Sequence, residues 1–421
     1  VWALSVVAAA MLAVGYRTRT AAILAFVAVI SFQQRNPLIL DGSDLVFRAV
    51  PFWLIFTAAG DRYSVDAALR RARGEEVRPQ GPALPVRILQ LQIAWIYLAT
   101  GIEKLAGTQW LGGTAAYYAL QLKHTFGRPW AEALVRSDLF VRAVSWGTLV
   151  VELGFLPAAF FPFLQPFVRL VAVAAALGLH LGILVLMNVG NFPVVMMAGL
   201  ILFLPPPWVE RLVARLAAIP PARGASALVA RLAAAAPRPS THRASWSAAA
   251  AGALLLVALA SFGTAMPRPL GPSTGEPLSG ALRFAALDQR WDMFSPDPAR
   301  ADGWISARGQ LADGTAVELI GEGGRPVPRD PIVLSGDEPI APRYADPLYT
   351  RWTKVHERIP NVAFAEYRLE YGRMFCRLRN LHLAPGGSPL VRFDVVYVER
   401  IIQPDLSPPD LVEHRIWSHE C

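Results

Sequence analysis

Apolar residues run in long blocks through the first two thirds of the chain and in short alternating stretches through the rest. About eight apolar segments stand out, at roughly 1–16, 20–32, 45–59, 87–106, 141–161, 168–187, 191–206 and 246–266. Blocks of this kind predict membrane helices, since ~20 residues of helix cross a hydrocarbon core of about 30 Å. The 20–32 and 45–59 segments fall short of that length. They are expected either to extend into their flanks or to pack inside a bundle. Val1 already lies inside an apolar run, so one or more helices are expected to precede it.

The pattern changes after residue 266. Residues 267–281 are rich in Pro and Gly and read as a linker. Beyond them the stretch from Trp304 to Leu319 alternates around Asp313-Gly314 and predicts a hairpin. Leu390–Ile401 alternates around Val391, Phe393, Val395 and Tyr397 and predicts another strand. Residues 349–380 between them have a helical pattern. The expected fold is therefore mainly α: a polytopic membrane helix bundle over 1–266, a linker over 267–281, and a small extracytoplasmic α+β domain over 282–421.

Composition agrees with the bundle. Of 421 residues 54% are hydrophobic and 17% charged, against about 25% charged in an ordinary soluble domain. The net charge of +8 does not imply a nucleic-acid partner, because the arginines sit in loops beside apolar segments and no nucleic-acid motif accompanies them. They set orientation instead. Loop 205–244 carries six arginines against Glu210, and loop 60–86 carries five, which makes both cytoplasmic. Arg17 and Arg19 fall on the same side by parity. Loops 33–44, 107–140 and 188–191 and everything after Phe262 then face outward, away from the cytoplasm. The two cysteines, Cys376 and Cys421, have no zinc spacing. They are expected either to pair or to remain thiols. No metal site is expected.

Candidate chemistry gathers at the outer leaflet. Only three of the 40 basic residues are lysine: Lys104, Lys123 and Lys354. Lys104 ends an apolar segment. A lysine there either snorkels to water or faces the bundle and marks a site. Only in the second case does lysine differ from arginine, because an ammonium group can give up its proton and act as a base. Tyr97, Thr100 and Gly101 share its helix face. Glu103 points elsewhere and reads as a surface acid. His180 reads as an interhelical hydrogen bonder or a ligand group. Asn188 and Asn191 flank Gly190 as turn and cap residues, with a ligand role as the second reading. Loop 35–44 is either an ordinary turn or a lid, and loop 290–304 a packed loop seating the outer domain. No hydrolase, protease or nucleotide motif occurs.

Four stretches, in order, carry a family resemblance: "RNPLILDGSDLVFRAVPFWLIFTAAGDRYSVDA", "LQIAWIYLATGIEKLAGTQWLGGTAAYYAL", "HLGILVLMNVGNFPVVMMAGL" and "WDMFSPDPARADGW". Together they resemble the HTTM family, the bacterial relatives of the vitamin K-dependent gamma-glutamyl carboxylase, over about 31–398. The resemblance implies a membrane enzyme that oxygenates a reduced naphthoquinone, a vitamin K-like hydroquinone. The strong base so formed removes the γ-proton of a peptidyl glutamate, and the carbanion takes up carbon dioxide. It implies membrane lipid and a peptide or protein substrate as partners. Lys104, in "GIEKLAGTQW", matches the lysine of the family's GxxKLxxxW context, which implies the base that deprotonates the hydroquinone. His180 matches a histidine of the family's H…GxF helix. The animal enzymes have a functional histidine in the first outer region; here no histidine precedes His124, and Asn36 stands in that region.

The reading that follows is a quinol-dependent oxygenase or carboxylase with Lys104 as catalytic base and Asn36, Tyr97, Thr100, His180 and Asn188 as candidate binding residues. Its alternative is a non-catalytic lipid- or quinone-binding protein of the cell envelope. A transporter is disfavoured, because the charges concentrate at one leaflet and not at the midplane.

Overall fold

The computed structural model describes residues 2–75, 83–217, 247–266, 276–321, 324–334, 350–381, 383 and 385–421. Sixteen α-helices are present among them. The first eight are α1 (Trp2–Val14), α2 (Thr18–Arg35), α3 (Gly42–Leu54), α4 (Val65–Ala72), α5 (Ala83–Leu105), α6 (Thr108–Leu111), α7 (Ala115–Gln121) and α8 (Ala131–Val135). The next six are α9 (Asp138–Phe160), α10 (Phe167–Leu186), α11 (Phe192–Leu200), α12 (Pro206–Ala217), α13 (Ala248–Gly263) and α14 (Glu276–Phe284). The last two, α15 (Thr350–Arg358) and α16 (Arg368–Asn380), lie among five strands: β1 (Ala301–Leu311), β2 (Ala316–Glu318), β3 (Ile332–Val333), β4 (Leu390–Ile401) and β5 (Asp410–Glu420).

Each of the eight apolar segments contains a helix, but the expectation of eight crossings is too high by the measure of length and composition. Among the described residues three helices, α5, α9 and α10, are long and apolar enough to cross a membrane, or up to four if α11 and α12, bent by 111°, count as one span. The reason is visible in the others. Helices α1 and α3 have 13 residues each, about 20 Å at 1.5 Å per residue. Helix α2 reaches 18 residues only by taking in Arg19, Gln33, Gln34 and Arg35. Most of the expected basic loop 205–244 lies outside the described residues, as do 267–275 of the expected linker. The rest of that linker, 276–281, is the start of α14.

The bundle core forms where α5 meets α9, α10 and α11, around Ile93, Tyr97, Phe155, Ala176 and Met196. A glutamine clasp pulls the chain after α14 back into it. The Gln289 and Gln92 amides pair at 2.8 Å, Trp53 donates to Gln92 at 3.1 Å, and Trp291 donates to Gln289 at 3.0 Å. Buried amides unpaired in an apolar bundle cost several kcal/mol each, so this reciprocal pairing fixes where 287–291 must lie.

The strands form one antiparallel sheet in the order β3-β2-β1-β4-β5. The expected hairpin is the β1–β2 pair, turning at Asp313-Gly314, where Gly314 has φ +87°. Register aligns Trp304 with Val398 and Arg308 with Asp394. Helices α15 and α16 supply Val355, Tyr371 and Phe375, with Ile359 just past α15, to a core completed by Ile305 and Phe393 of the sheet and Leu319 just past β2. The two cysteines pair: Cys376 of α16 is disulfide-bonded to Cys421, just past β5. β5 itself, outside the elements expected from sequence, is mostly exposed.

His356 is buried in this domain, with Tyr371 Oη 3.1 Å from its Nε2. Burial pushes its imidazole down to about 4 from an ordinary value of 6.5. The unfolded chain therefore binds a proton through that window which the folded domain refuses. The stability contributed by neutral His356 is complete above about pH 6.5 and is lost as pH falls toward 4. Acid titration of unfolding should show the sheet domain losing about 2 kcal/mol between pH 7 and 5, and His356→Gln should flatten that slope. The Cys376–Cys421 bridge closes a segment of 45 residues. Opening it with Cys376→Ser and Cys421→Ser should cost about 3–4 kcal/mol, read as a lower unfolding midpoint in denaturant.

Candidate functional site

The site begins with a glycine. A Cβ on Gly101 of α5 would lie 3.0 Å from Leu153 Cδ2 and 3.1 Å from Glu152 Cβ. The bare backbone lets α9 approach, and Glu152 then meets Lys104 one turn further along α5. Lys104 Nζ lies 2.5 Å from Glu152 Oε1, and both side chains are buried. The ammonium also sits 4.6 Å from the centroid of the Trp110 ring, a cation–π contact. Lys104 therefore faces the bundle and does not snorkel.

Trp110 is held from outside the bundle. Its Nε1 donates to Phe294 O at 2.8 Å. Asp297 accepts the Thr108 and Gln109 backbone N–H groups at 3.0 and 2.8 Å. A Cβ on Gly107 would lie 1.9 Å from Pro296 O, so only glycine fits there. The "GTQW" and "FSPDP" stretches thus interlock, and loop 290–304 both seats the C-terminal region on the bundle and fixes the ring over the ammonium.

A second polar pair stands on the neighbouring face. Tyr97 Oη and His180 Nε2 are 2.7 Å apart, both buried. Tyr97 packs on Phe155 with ring centroids 4.5 Å apart, and His180 meets the Phe192 ring edge-on at 5.9 Å. Thr100 spends its hydroxyl on Ile96 O at 2.7 Å. Two buried atoms of these groups have no hydrogen-bond partner among the described residues: Glu152 Oε2 and His180 Nδ1.

Both belong to residues lining one cavity of about 570 Å³. Tyr97, Thr100, Lys104, Glu152 and His180 share its wall with apolar side chains such as Ile96, Leu179, Phe192 and Met196. Another part of the wall is charged, with Asp41, Arg48, Arg290, Lys354 and Glu357. Loop 35–44 contributes Leu40 to Gly42 and is clamped by α15: Arg351 donates to Asp44 and Ile39 O at 2.6 Å, and Arg358 to Pro37 O at 2.7 Å.

Residues 1–208 match the family model for the HTTM domain. This part of the chain belongs to the HTTM family. A protein of Bacillus subtilis (strain 168), the uncharacterized protein YitO, is 26% identical over 200 residues, 47% of this chain and 63% of YitO. The chain thus spans less than two thirds of that relative's length. No solved structure matches the chain. The HTTM domain supplies Lys104, Glu152, Tyr97 and His180, whereas the wall from Arg290 to Ala299 and from Lys354 to Arg358 comes from beyond it.

The HTTM domain brings four of the six candidate residues, Lys104, Tyr97, Thr100 and His180, to one cavity. It does not bring Asn36 or Asn188 there. The Asn36 side chain accepts the Leu38 N–H at 3.1 Å and caps a short 3₁₀ turn, Pro37–Ile39. The Asn188 backbone N–H donates to Phe126 O at 2.6 Å in the α10–α11 connection. Glu103, half-buried, is not part of the cavity wall. Two wall residues had no place among the candidates. Glu152 is the one acid in α9 beyond its first turn, a charge deep in an apolar segment and so the same kind of signal that singled out Lys104. Lys354 shares its rarity: its ammonium lies 2.7 Å from Glu357 and 4.6 Å from the Phe126 ring centroid.

Removing one partner of a buried ion pair leaves the other charge desolvated, at about 3–5 kcal/mol, whereas replacing both by apolar residues is often neutral. Glu152→Leu should therefore lower the melting temperature of the detergent-solubilised protein sharply. Lys104→Met with Glu152→Leu should recover most of that loss. Equal destabilisation in the single and double variants would show that the two charges do not depend on each other.

Proposed function

We propose that the chain is a membrane-embedded, quinol-dependent oxygenase, carboxylase-like in its chemistry, with Lys104 and Glu152 as its proton-accepting pair. The single observation that supports this reading most is the buried Lys104–Glu152 pair on the wall of a largely apolar cavity, with Glu152 Oε2 unpartnered beside it. A cavity of about 570 Å³ is in the range of small-molecule sites. Its aromatic and aliphatic side chains suit a prenylated ring, and its two unpartnered polar atoms suit ring oxygens. The residues thus fit a reduced naphthoquinone. Phe192, Met196 and Ile96 would hold the ring, with Glu152 Oε2 and His180 Nδ1 at its oxygens. Such a group, when bound, supplies acidic hydroxyls and two reducing electrons.

The protein's part is to hold and move protons. Transfer from Lys104 Nζ to Glu152 Oε1 across 2.5 Å leaves a neutral amine, the form in which lysine is a base. Trp110 keeps the ammonium form in register, so the amine can recover its proton without leaving the site. Tyr97 fixes the orientation of the His180 ring.

We place the disulfide-linked sheet domain outside the cytoplasm, since disulfides persist in oxidising compartments and the arginine distribution gives the same orientation. In this reading all eight apolar helices belong to the membrane part, the shorter ones packed within it. A peptide or protein substrate would then approach from the outer side.

The protein reconstituted in lipid nanodiscs should convert naphthoquinol and oxygen to the epoxide. Lys104→Arg keeps the buried cation and removes the base, and should lower that rate at least ~100-fold with little change in melting temperature. Glu152→Gln should lower it as well. Undiminished epoxide formation in Lys104→Arg would sink the role given to Lys104. Saturable quinol binding with no turnover in the unaltered protein would favour the non-catalytic lipid- or quinone-binding reading.

A further inference from the structure

Helix α12 (Pro206–Ala217) poses a separate question. It follows α11 through a sharp break: the axes of Phe192–Phe203 and Pro206–Arg215 differ by 111°. At 100° per residue, Trp208, Val209, Leu212 and Val213 fall within an arc of about 140°, and Glu210 and Ala214 lie opposite. Yet among its described residues none is buried. Val209 and Val213 are half-covered, and Trp208 and Leu212 are 53% and 55% exposed. Arg211 and Arg215, both exposed, border the apolar arc on the Trp208 side. One contact sets the roll of the helix: Glu210 Oε1 lies 3.2 Å from Arg62 Nη2 in the turn after α3. That pair consumes the acid of the helix and leaves its two arginines facing away from it.

An amphipathic helix turned nearly at right angles to a membrane helix, with a tryptophan and a leucine uncovered and arginines beside them, has the make-up of a segment lying in the headgroup layer. We propose that α12 is an interfacial helix whose Trp208–Leu212 edge enters the leaflet and whose Arg211 and Arg215 bind anionic phospholipid headgroups. The charge complementarity selects this occupant. The two guanidinium groups border the apolar edge, so their stems can lie along acyl chain while their heads meet phosphate. The Arg62–Glu210 pair ties α12 to the turn after α3. The inference is independent of the chemistry in the cavity.

The test uses the full chain. Cys376 and Cys421 are paired, so a thiol introduced by Leu212→Cys or Ala214→Cys takes a polarity-sensitive fluorophore selectively. In nanodiscs of phosphatidylglycerol and phosphatidylcholine, the probe at 212 should emit at shorter wavelength than the probe at 214. It should be quenched more by lipids brominated near the headgroup than by lipids brominated near the chain end. Raising the phosphatidylglycerol fraction should strengthen the shift. Arg211→Gln with Arg215→Gln should weaken that dependence about fivefold per arginine. A water-exposed probe at 212 overturns the proposal. So does stronger quenching deep in the bilayer, which would make α12 part of a re-entrant span. A shielded probe that brominated lipid does not reach would assign the edge to a protein contact. A shift indifferent to phosphatidylglycerol would overturn the lipid class.

Discussion

The buried pair of Lys104 and Glu152 is the constraint on which the arrangement turns. Two opposite charges withdrawn from water cost several kcal/mol each, and their attraction returns this only at short range and in good geometry. Each neighbouring feature reads as a condition for that geometry. Gly101 lets α5 and α9 close together. Trp110 gives the ammonium a cation–π contact beside the carboxylate. Asp297 and Phe294 O, far along the chain, fix Trp110 and the start of α6. A charge pair between two helices of the bundle therefore depends on a loop nearly two hundred residues away.

That dependence explains why the cavity is divided between two parts of the chain. The HTTM domain provides the Lys104–Glu152 and Tyr97–His180 pairs and most of the apolar wall, and the region beyond it provides much of the charged wall, Arg290, Lys354 and Glu357 among it. The Gln92–Gln289 clasp and the α15 clamp on loop 35–44 are further attachments of the later region. The glutamine clasp is buried, so it cannot be undone without leaving its amides unmatched, while the α15 clamp is part-buried and the Asp297–Thr108 bond lies at the surface. Movement of the later region relative to the bundle would open the charged wall and the Trp110 contact together.

Much of this was legible in the sequence, and the limits follow a physical rule. The apolar blocks located the longer bundle helices, because burial in lipid or in a bundle writes itself into local composition, but not α4, α6 to α8 or α12, which lie in stretches read as loops. The number of crossings was overstated, because the same composition serves a short helix packed within a bundle. The β1–β2 hairpin and β4 were readable from alternation. β5 was not, because most of it is exposed and its residues are free to be polar. Lys104 was found through its rarity, while Glu152, 48 positions away, needed the pairing of α5 with α9. Asn36 was drawn in by its outer-loop position, yet a turn used its amide as a cap. The cysteine pairing rested on the approach of α16 to the end of β5, a contact that spacing does not encode.

The choice of lysine at position 104 follows from the same carboxylate. The chain has 40 basic residues and three lysines, hence 37 arginines. An arginine facing Glu152 would present two parallel N–H groups and engage both oxygens of the acid. Such a pair is self-contained and suits a role in packing alone. Lysine offers a compact charge, and here it engages Oε1 while Trp110 makes a cation–π contact with the same ammonium. Oε2 is left without a partner among the described residues, on a side chain that lines the cavity. Were the pair only a strut between helices, that unmatched oxygen would be a cost of about 1–3 kcal/mol with no return. In the proposed quinol-binding reading, a ligand hydroxyl in the cavity would remove the cost, and lysine, unlike arginine, could then change protonation state beside it. The rare residue and the unmatched oxygen are two expressions of one requirement: a buried carboxylate held in place but not used up.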